Sequence, residues 1–286
     1  MAQQIPVDDS ALMFGIEAED ATQVVHDVAY RRLGIVNIVY FGEPARESGR
    51  WVLIDAGVAG TARAILRGAE KRYGKGSRPE AILLTHAHFD HVGALGELGE
   101  KWNVPIYAHS LEHPYLDGSK AYPPPDPSVG GGLMSTLSRF YPRGPIDIRQ
   151  WLAALPADGR VPAMPGWQWI HTPGHTRGHI SFWREADRTL IVGDAFITTA
   201  QESAYAVLTQ QPELHGPPMY YTTDWDNARA SVERLAALEP EVIVTGHGPP
   251  MHGPAMREAL GTLAREFDRV SIPEQGRYVD GPNRPR

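Results

Sequence analysis

The stretch Thr85-His86-Ala87-His88-Phe89-Asp90-His91 puts four metal-ligand side chains into six consecutive positions. His86 and His88 are two residues apart, so on an extended backbone they point the same way. An apolar run at 81–84 precedes them, and helical spacing begins at 92. Asp90 and His91 therefore fall where the chain turns, and one strand exit can serve two adjacent ions. Neutral imidazoles suit zinc and similar ions, and a carboxylate offsets charge. Two ions about 3.5–4 Å apart can share a hydroxide at neutral pH and polarise a carbonyl or phosphoryl oxygen. A lone His-x-His reads as a solvated turn, whereas four ligands in this order after a buried strand read as a hydrolytic metal site.

The rest of the composition narrows the chemistry. The chain has 286 residues and no cysteine, so any metal is held by nitrogen and oxygen. Hydrophobic residues make up 42% and charged residues 21%, as in globular domains. The net charge of −7 argues against a large nucleic-acid or anionic-membrane footprint. Residues 1–11 lack a basic segment followed by an apolar run, and no stretch approaches the roughly 18 apolar residues of a membrane span. The expectation is a cytoplasmic protein with a small-molecule substrate and neither nucleic acid nor membrane as partner.

Elements that could position the ligands follow from periodicity. Residues 35–42 and 51–55 read as paired strands around a polar turn. Residues 61–73 carry Ala62, Ile65, Leu66 and Ala69 at helical spacing. Segment 81–84 reads as a strand, 92–102 as a helix and 105–108 as a strand. The stretch 110–160 holds Pro-Pro-Pro-Asp-Pro and Gly-Gly-Gly runs and reads as a lid or insertion, since strands resume at 167–171, 179–183 and 189–192. A second irregular stretch, 198–223, reads as a pocket-lining loop. A helix over 226–238, a strand over 241–245 and a helix over 254–267 complete the pattern, and the Gly/Pro-rich tail reads as frayed beyond Tyr278. The order fits one α/β domain over 1–286, with sheets inside and helices outside.

The ligand run resembles the His-x-His-x-Asp-His signature of the metallo-β-lactamase superfamily. Further pieces match that family in order: Leu53-Ile54-Asp55-Ala56-Gly57, Thr172-Pro173-Gly174-His175-Thr176, Gly193-Asp194 after an apolar strand, and Gly246-His247 after another. The resemblance implies a four-layer αββα sandwich. It implies that His86, His88 and His175 bind a first metal and Asp90, His91 and His247 a second, with Asp194 bridging. It places Asp55 beside the ligands as an orienting residue. His179, four residues after His175, is expected to have a structural hydrogen-bonding role. The cofactors would be two divalent ions, zinc first, with iron, manganese or cobalt as alternatives set by supply.

In the mechanism this implies, a hydroxide between the ions attacks, the ions stabilise the oxyanion, and Asp90 orients the nucleophile and carries a proton. Asp194 speaks against antibiotic hydrolysis, because zinc β-lactamases lack the bridging carboxylate. Acyl-homoserine lactonases usually carry a tyrosine three residues after that Asp, where this chain has Ile197. The glutathione-binding region of glyoxalase II enzymes is not recognisable. What remains is a glyoxalase II-like or lactonase-like hydrolase of an ester, thioester or lactone. The alternatives are a mononuclear iron dioxygenase of the persulfide type and a phosphodiesterase or phosphotriesterase. Tyr122, Phe140, Tyr141, His215, Tyr220, Tyr221 and Trp225 are candidates for the substrate pocket. The apolar segment 133–141 is a candidate pocket cap or homodimer contact. His26, His109, His113, His171 and His252 read as surface or core residues.

Overall fold

The computed structural model describes residues 5–12, 17–18, 21–44, 49–203, 205 and 212–279. They fall into two compact units.

One unit comprises the described part of residues 17–122 together with Arg143–Trp169. Its sheet has eight strands in the order Glu17–Ala18, Ala21–Val25, Val28–Leu33, Val36–Phe41, Val52–Ile54, Ala81–Leu83, Ile106–Ala108 and Leu152–Ala154. The first five pair antiparallel, and the last four pair parallel. The change of direction follows from the connections. Two-residue turns join Ala21–Val25 to Val28–Leu33 and that strand to Val36–Phe41, whereas helix Ala62–Tyr73 and helix Leu95–Trp102 carry the chain back for parallel pairing. Both helices turn apolar stripes, Ile65 and Ala69 on one and Leu95, Leu98 and Trp102 on the other, into a core with Ile38, Tyr40, Leu53 and Ile82. Trp51 anchors this core, stacked on Tyr73 at 4.6 Å and edge-on to Trp102 at 5.4 Å.

The helix expected over 92–102 is two helices, Phe89–Val92 and Leu95–Trp102. Gly93 breaks it because the backbone passes against residues 58–59, where a Cβ would lie 2.1 Å from the Ala59 nitrogen. The stretch 110–160 divides between the two units. Pro123–Pro142 belongs to the other unit, while Leu152–Ala154 joins the sheet edge beside Ile106–Ala108. The strands over 17–33 were not expected. Polar residues interrupt them, so no clean alternation marks them as strands.

The other unit comprises the described residues of 5–12, Pro123–Pro142 and 170–279. A five-stranded sheet runs Trp167–His171, of which residues 170–171 fall in this unit, then Ile180–Arg184, Thr189–Gly193, Val242–Thr245 and Met251–His252. Thr189–Gly193 and Val242–Thr245 are parallel, joined through helix Trp225–Ala236. Asp224 caps that helix, its carboxylate accepting from the Asn227 amide at 3.0 Å. Helix Gly253–Arg265 packs beside it. The tail is tied down as far as Tyr278: Arg277 donates to the Pro125 carbonyl at 3.0 Å, and the Tyr278 hydroxyl donates to the Pro124 carbonyl at 2.6 Å. The frayed segment expected beyond Tyr278 lies, from residue 280, outside the described residues. No helix among them is long and apolar enough to cross a membrane.

Candidate metal centre

Open α/β sheets present ligand-binding loops at the carboxyl ends of parallel strands. Both units put their candidate ligands there. In the larger sheet Asp55 follows Val52–Ile54, and Thr85 to His91 follow Ala81–Leu83, the next parallel strand. In the smaller sheet Asp194 follows Thr189–Gly193, and His247 leaves its parallel neighbour Val242–Thr245. His175 leaves the turn after Trp167–His171.

In the first unit the Nε2 of His86 faces the Nδ1 of His88 at 3.0 Å. Donors bound to one zinc ion lie about 2.0–2.1 Å from it, so tetrahedral neighbours are roughly 3.3 Å apart. The pair fits that spacing. Asp55 ties this turn together. Its left-handed backbone, φ 59°, aims a buried carboxylate that accepts from the Thr85 amide at 2.9 Å and the Thr85 hydroxyl at 2.8 Å. It also accepts from the His91 Nδ1 at 2.8 Å. These bonds decide tautomers. The Thr85 hydroxyl has spent its proton on Asp55, so its oxygen accepts from the His86 Nδ1 at 3.1 Å. His86 and His91 therefore both carry their proton on Nδ1, which makes Nε2 the nitrogen with metal-donor character. Asp90 and His91 lie in helix Phe89–Val92 and are buried, as are His86 and His88.

In the second unit Asp194 gathers two imidazoles. Its Oδ2 lies 3.0 Å from the His247 Nε2 and 3.5 Å from the His175 Nε2, again the spacing of a shared coordination sphere. All three are 2% exposed, too little for bulk water to solvate a bare carboxylate. The Thr222 hydroxyl donates to the Pro218 carbonyl at 2.8 Å and so accepts from the His175 Nδ1 at 3.2 Å, which leaves Nε2 as the unprotonated nitrogen turned toward Asp194. His179 accepts the Asp194 amide on Nε2 at 2.8 Å. Its Nδ1 then donates to Thr172 at 2.8 Å, Thr172 donates to Ser181 at 3.1 Å, and Ser181 donates to the Val192 carbonyl at 2.7 Å. Through that bond His179 holds the backbone of Asp194. Gly174 has φ 134° and lies against helix Trp225–Ala236, where a Cβ would come 2.3 Å from the Ala228 nitrogen, so the His175 turn admits only glycine.

The donor sets, imidazole and carboxylate without thiolate, fit divalent ions in both units. Sequence reasoning left Thr85, Thr172, Ser181, Thr222 and Glu112 without a role. Thr85 and Thr172 stand inside the motifs, which was their only signal. Glu112 follows strand Ile106–Ala108 with none. The pocket candidates divide. Tyr122 is buried, and its hydroxyl donates to Glu112. Burial first, then the Glu112 charge, push that phenol well above its usual 10, so it remains a donor. Trp225 packs toward Phe267 at 6.4 Å, and Tyr220 lies 5.2 Å from Tyr221 and 6.2 Å from Tyr141. Phe140 is 70% exposed. His215 is buried, bridges to Ile197, and donates from Nδ1 to the Gly216 carbonyl at 3.2 Å. His109 accepts from the Leu111 amide, and His113 and His171 bond to backbone carbonyls, as suits structural residues.

Comparison with known proteins agrees with the ligand chemistry. Residues 31–247 match the model described as the metallo-beta-lactamase superfamily. The chain is 48% identical to the "Probable metallo-hydrolase YflN" of Bacillus subtilis over 81% of its length and 88% of the relative's. It is 30% identical to the "Probable metallo-hydrolase YybB" of the same organism, over 68% and 74%. Among solved structures, a beta-lactamase domain protein from Burkholderia ambifaria aligns with a TM-score of 0.62 at 19% identity, covering 90% of this chain and 80% of that one. TTHA1623, solved in a di-iron-bound form, aligns with a TM-score of 0.51 at 26% identity, covering 85% and 98%. The α/β fold expected from the sequence is the fold these likenesses show.

Proposed function

The chain belongs to the metallo-β-lactamase superfamily, and from that premise we propose that it is a metallo-hydrolase that cleaves a small-molecule ester, thioester or lactone with two divalent ions. In this reading, which follows the family resemblance, His86, His88 and His175 would hold one ion, Asp90, His91 and His247 would hold the other, and Asp194 would serve both. The observation that carries it is the set of tautomers: His86, His91 and His175 each commit Nδ1 to an oxygen, which makes Nε2 the nitrogen that would bind an ion. That arrangement has a purpose for metal ligands and none for a solvated turn.

When bound, the ions supply Lewis acidity and a water acidified toward neutral pH. The chain's own residues do the rest. Asp90 orients the attacking water through its carboxylate and passes a proton to the leaving group. Asp55 fixes Thr85 and His91, and His179 fixes Asp194. Burial of the ligands excludes bulk water from between the reacting groups. Zinc is the first expectation, and the di-iron form of TTHA1623 supports iron as the alternative.

The test is proton release by metal-loaded protein against thioesters, lactones, aryl esters, phosphodiesters and a β-lactam, with Asp90→Asn as the blank. Turnover of a carboxylic ester, thioester or lactone, lost in the variant, is the expected result. Silence from protein holding two ions per chain, or turnover of phosphodiesters alone, would overturn the reading, and oxygen uptake would then identify a dioxygenase.

A further inference from the structure

Strand Ala81–Leu83 lies between two parallel neighbours, Val52–Ile54 and Ile106–Ala108. Each neighbour sends a buried carboxylate back to the ligand turn that leaves the middle strand. From one side Asp55 takes Thr85 and His91. From the other side Glu112, fully buried, takes the amide of Ala87 at 3.1 Å. The same amide lies 3.1 Å from the Tyr122 hydroxyl, which itself donates to the same Glu112 oxygen. Ala87 stands between His86 and His88. Holding its N–H fixes the rotation of the peptide joining the two ligands, and with it the direction of both side chains. The Tyr122 ring adds a wall: it lies 4.5 Å from the His88 ring, and it stacks on Tyr115 at 3.8 Å and 15°.

We propose that Glu112 and Tyr122 are positioning residues that set the geometry of His86 and His88, an inference that rests on the metal-binding reading above. A charged acceptor suits the task because hydrogen bonds to a carboxylate are stronger than neutral ones. Tyr122 also precedes Pro123–Pro142, the segment that leaves this unit for the other. The phenol thus ties the root of that excursion to the ligand turn.

Cobalt titration of the full chain tests this, with the visible d–d spectrum reporting ligand geometry and a chromophoric chelator reporting affinity. Glu112→Ala and Tyr122→Phe are expected to weaken cobalt binding about 10- to 100-fold and to alter the spectrum. Glu112→Gln, which keeps an acceptor for Ala87, should recover part of the loss. Tyr115→Phe, which keeps the stacked ring, should bind as wild type. Amide exchange at Ala87 should quicken in Glu112→Ala and Tyr122→Phe even without metal. Wild-type affinity and spectrum in a folded Glu112→Ala protein would overturn the inference, and if that variant does not fold, the same result in Tyr122→Phe would do so. A wild-type chain that takes no cobalt would overturn the functional reading and this inference together, whereas normal wild-type binding with silent variants would overturn the inference alone.

Discussion

The two regions that carry the candidate ligands solve one problem by different means. In the first, a single strand exit delivers His86, His88, Asp90 and His91, and buried carboxylates anchor the turn. In the second, His175, Asp194 and His247 arrive from three separate strand exits. They are steadied by neutral groups, namely Thr222, His179, Thr172 and Ser181. Where ligands are adjacent in sequence, one anion can hold several at once. Where they are distant, each needs its own support, and strand register does the aligning. Damage to the first region should therefore spread across ligands, and damage to the second should stay local.

Metal removal gives the largest expected effect. At a thousandfold excess over the dissociation constant, one ion adds about 4 kcal/mol, so chelation should lower Tm by roughly 10 °C in calorimetry. Amide exchange should then quicken in both regions, and loosening confined to residues 86–91 would break the pairing of the two ligand sets. Next comes the contrast between Asp55→Ala and His179→Ala. The first leaves two N–H groups and a hydroxyl unpaired and should cost about 3 kcal/mol in denaturant titration. The second leaves the Asp194 amide unpaired and should cost about 1–2 kcal/mol. Equal losses would erase the distinction between shared and separate supports. The smallest effect concerns the first unit's core alone. Burial pushes the Tyr73 phenol up to about 12 from 10. The unfolded chain releases that proton first, so the contribution is intact below pH 10 and fades as pH rises through 12. Tyr73→Phe should flatten the alkaline fall in stability over that window.

The same contrast explains what the sequence disclosed. The first region was legible because its ligands sit side by side after an apolar run. The second could be read only through resemblance, since a lone Gly193-Asp194 or Gly246-His247 says nothing by spacing. Strands such as Val52–Ile54 and Val242–Thr245 announced themselves by continuous apolar runs, buried throughout. Val28–Leu33 did not, because Tyr30, Arg31 and Arg32 break the pattern and Arg31 instead donates to the Ala64 carbonyl at 2.8 Å. Glu112 escaped notice for the plainest reason. Its partner Ala87 is 25 residues away, and alanine advertises nothing about its own amide.

The bonds from Arg277 and Tyr278 to Pro124 and Pro125 have a consequence for how the chain is made. A ribosome delivers residues in order, and these contacts join partners more than 150 positions apart. The segment around Pro124 must wait, already synthesised, until Arg277 and Tyr278 have emerged before it is sealed. Contacts of such separation close late and slowly. The wait leaves Leu133, Leu137 and Phe140, each still partly exposed in the finished fold, as apolar surface that a nascent chain must keep from neighbouring polysomes.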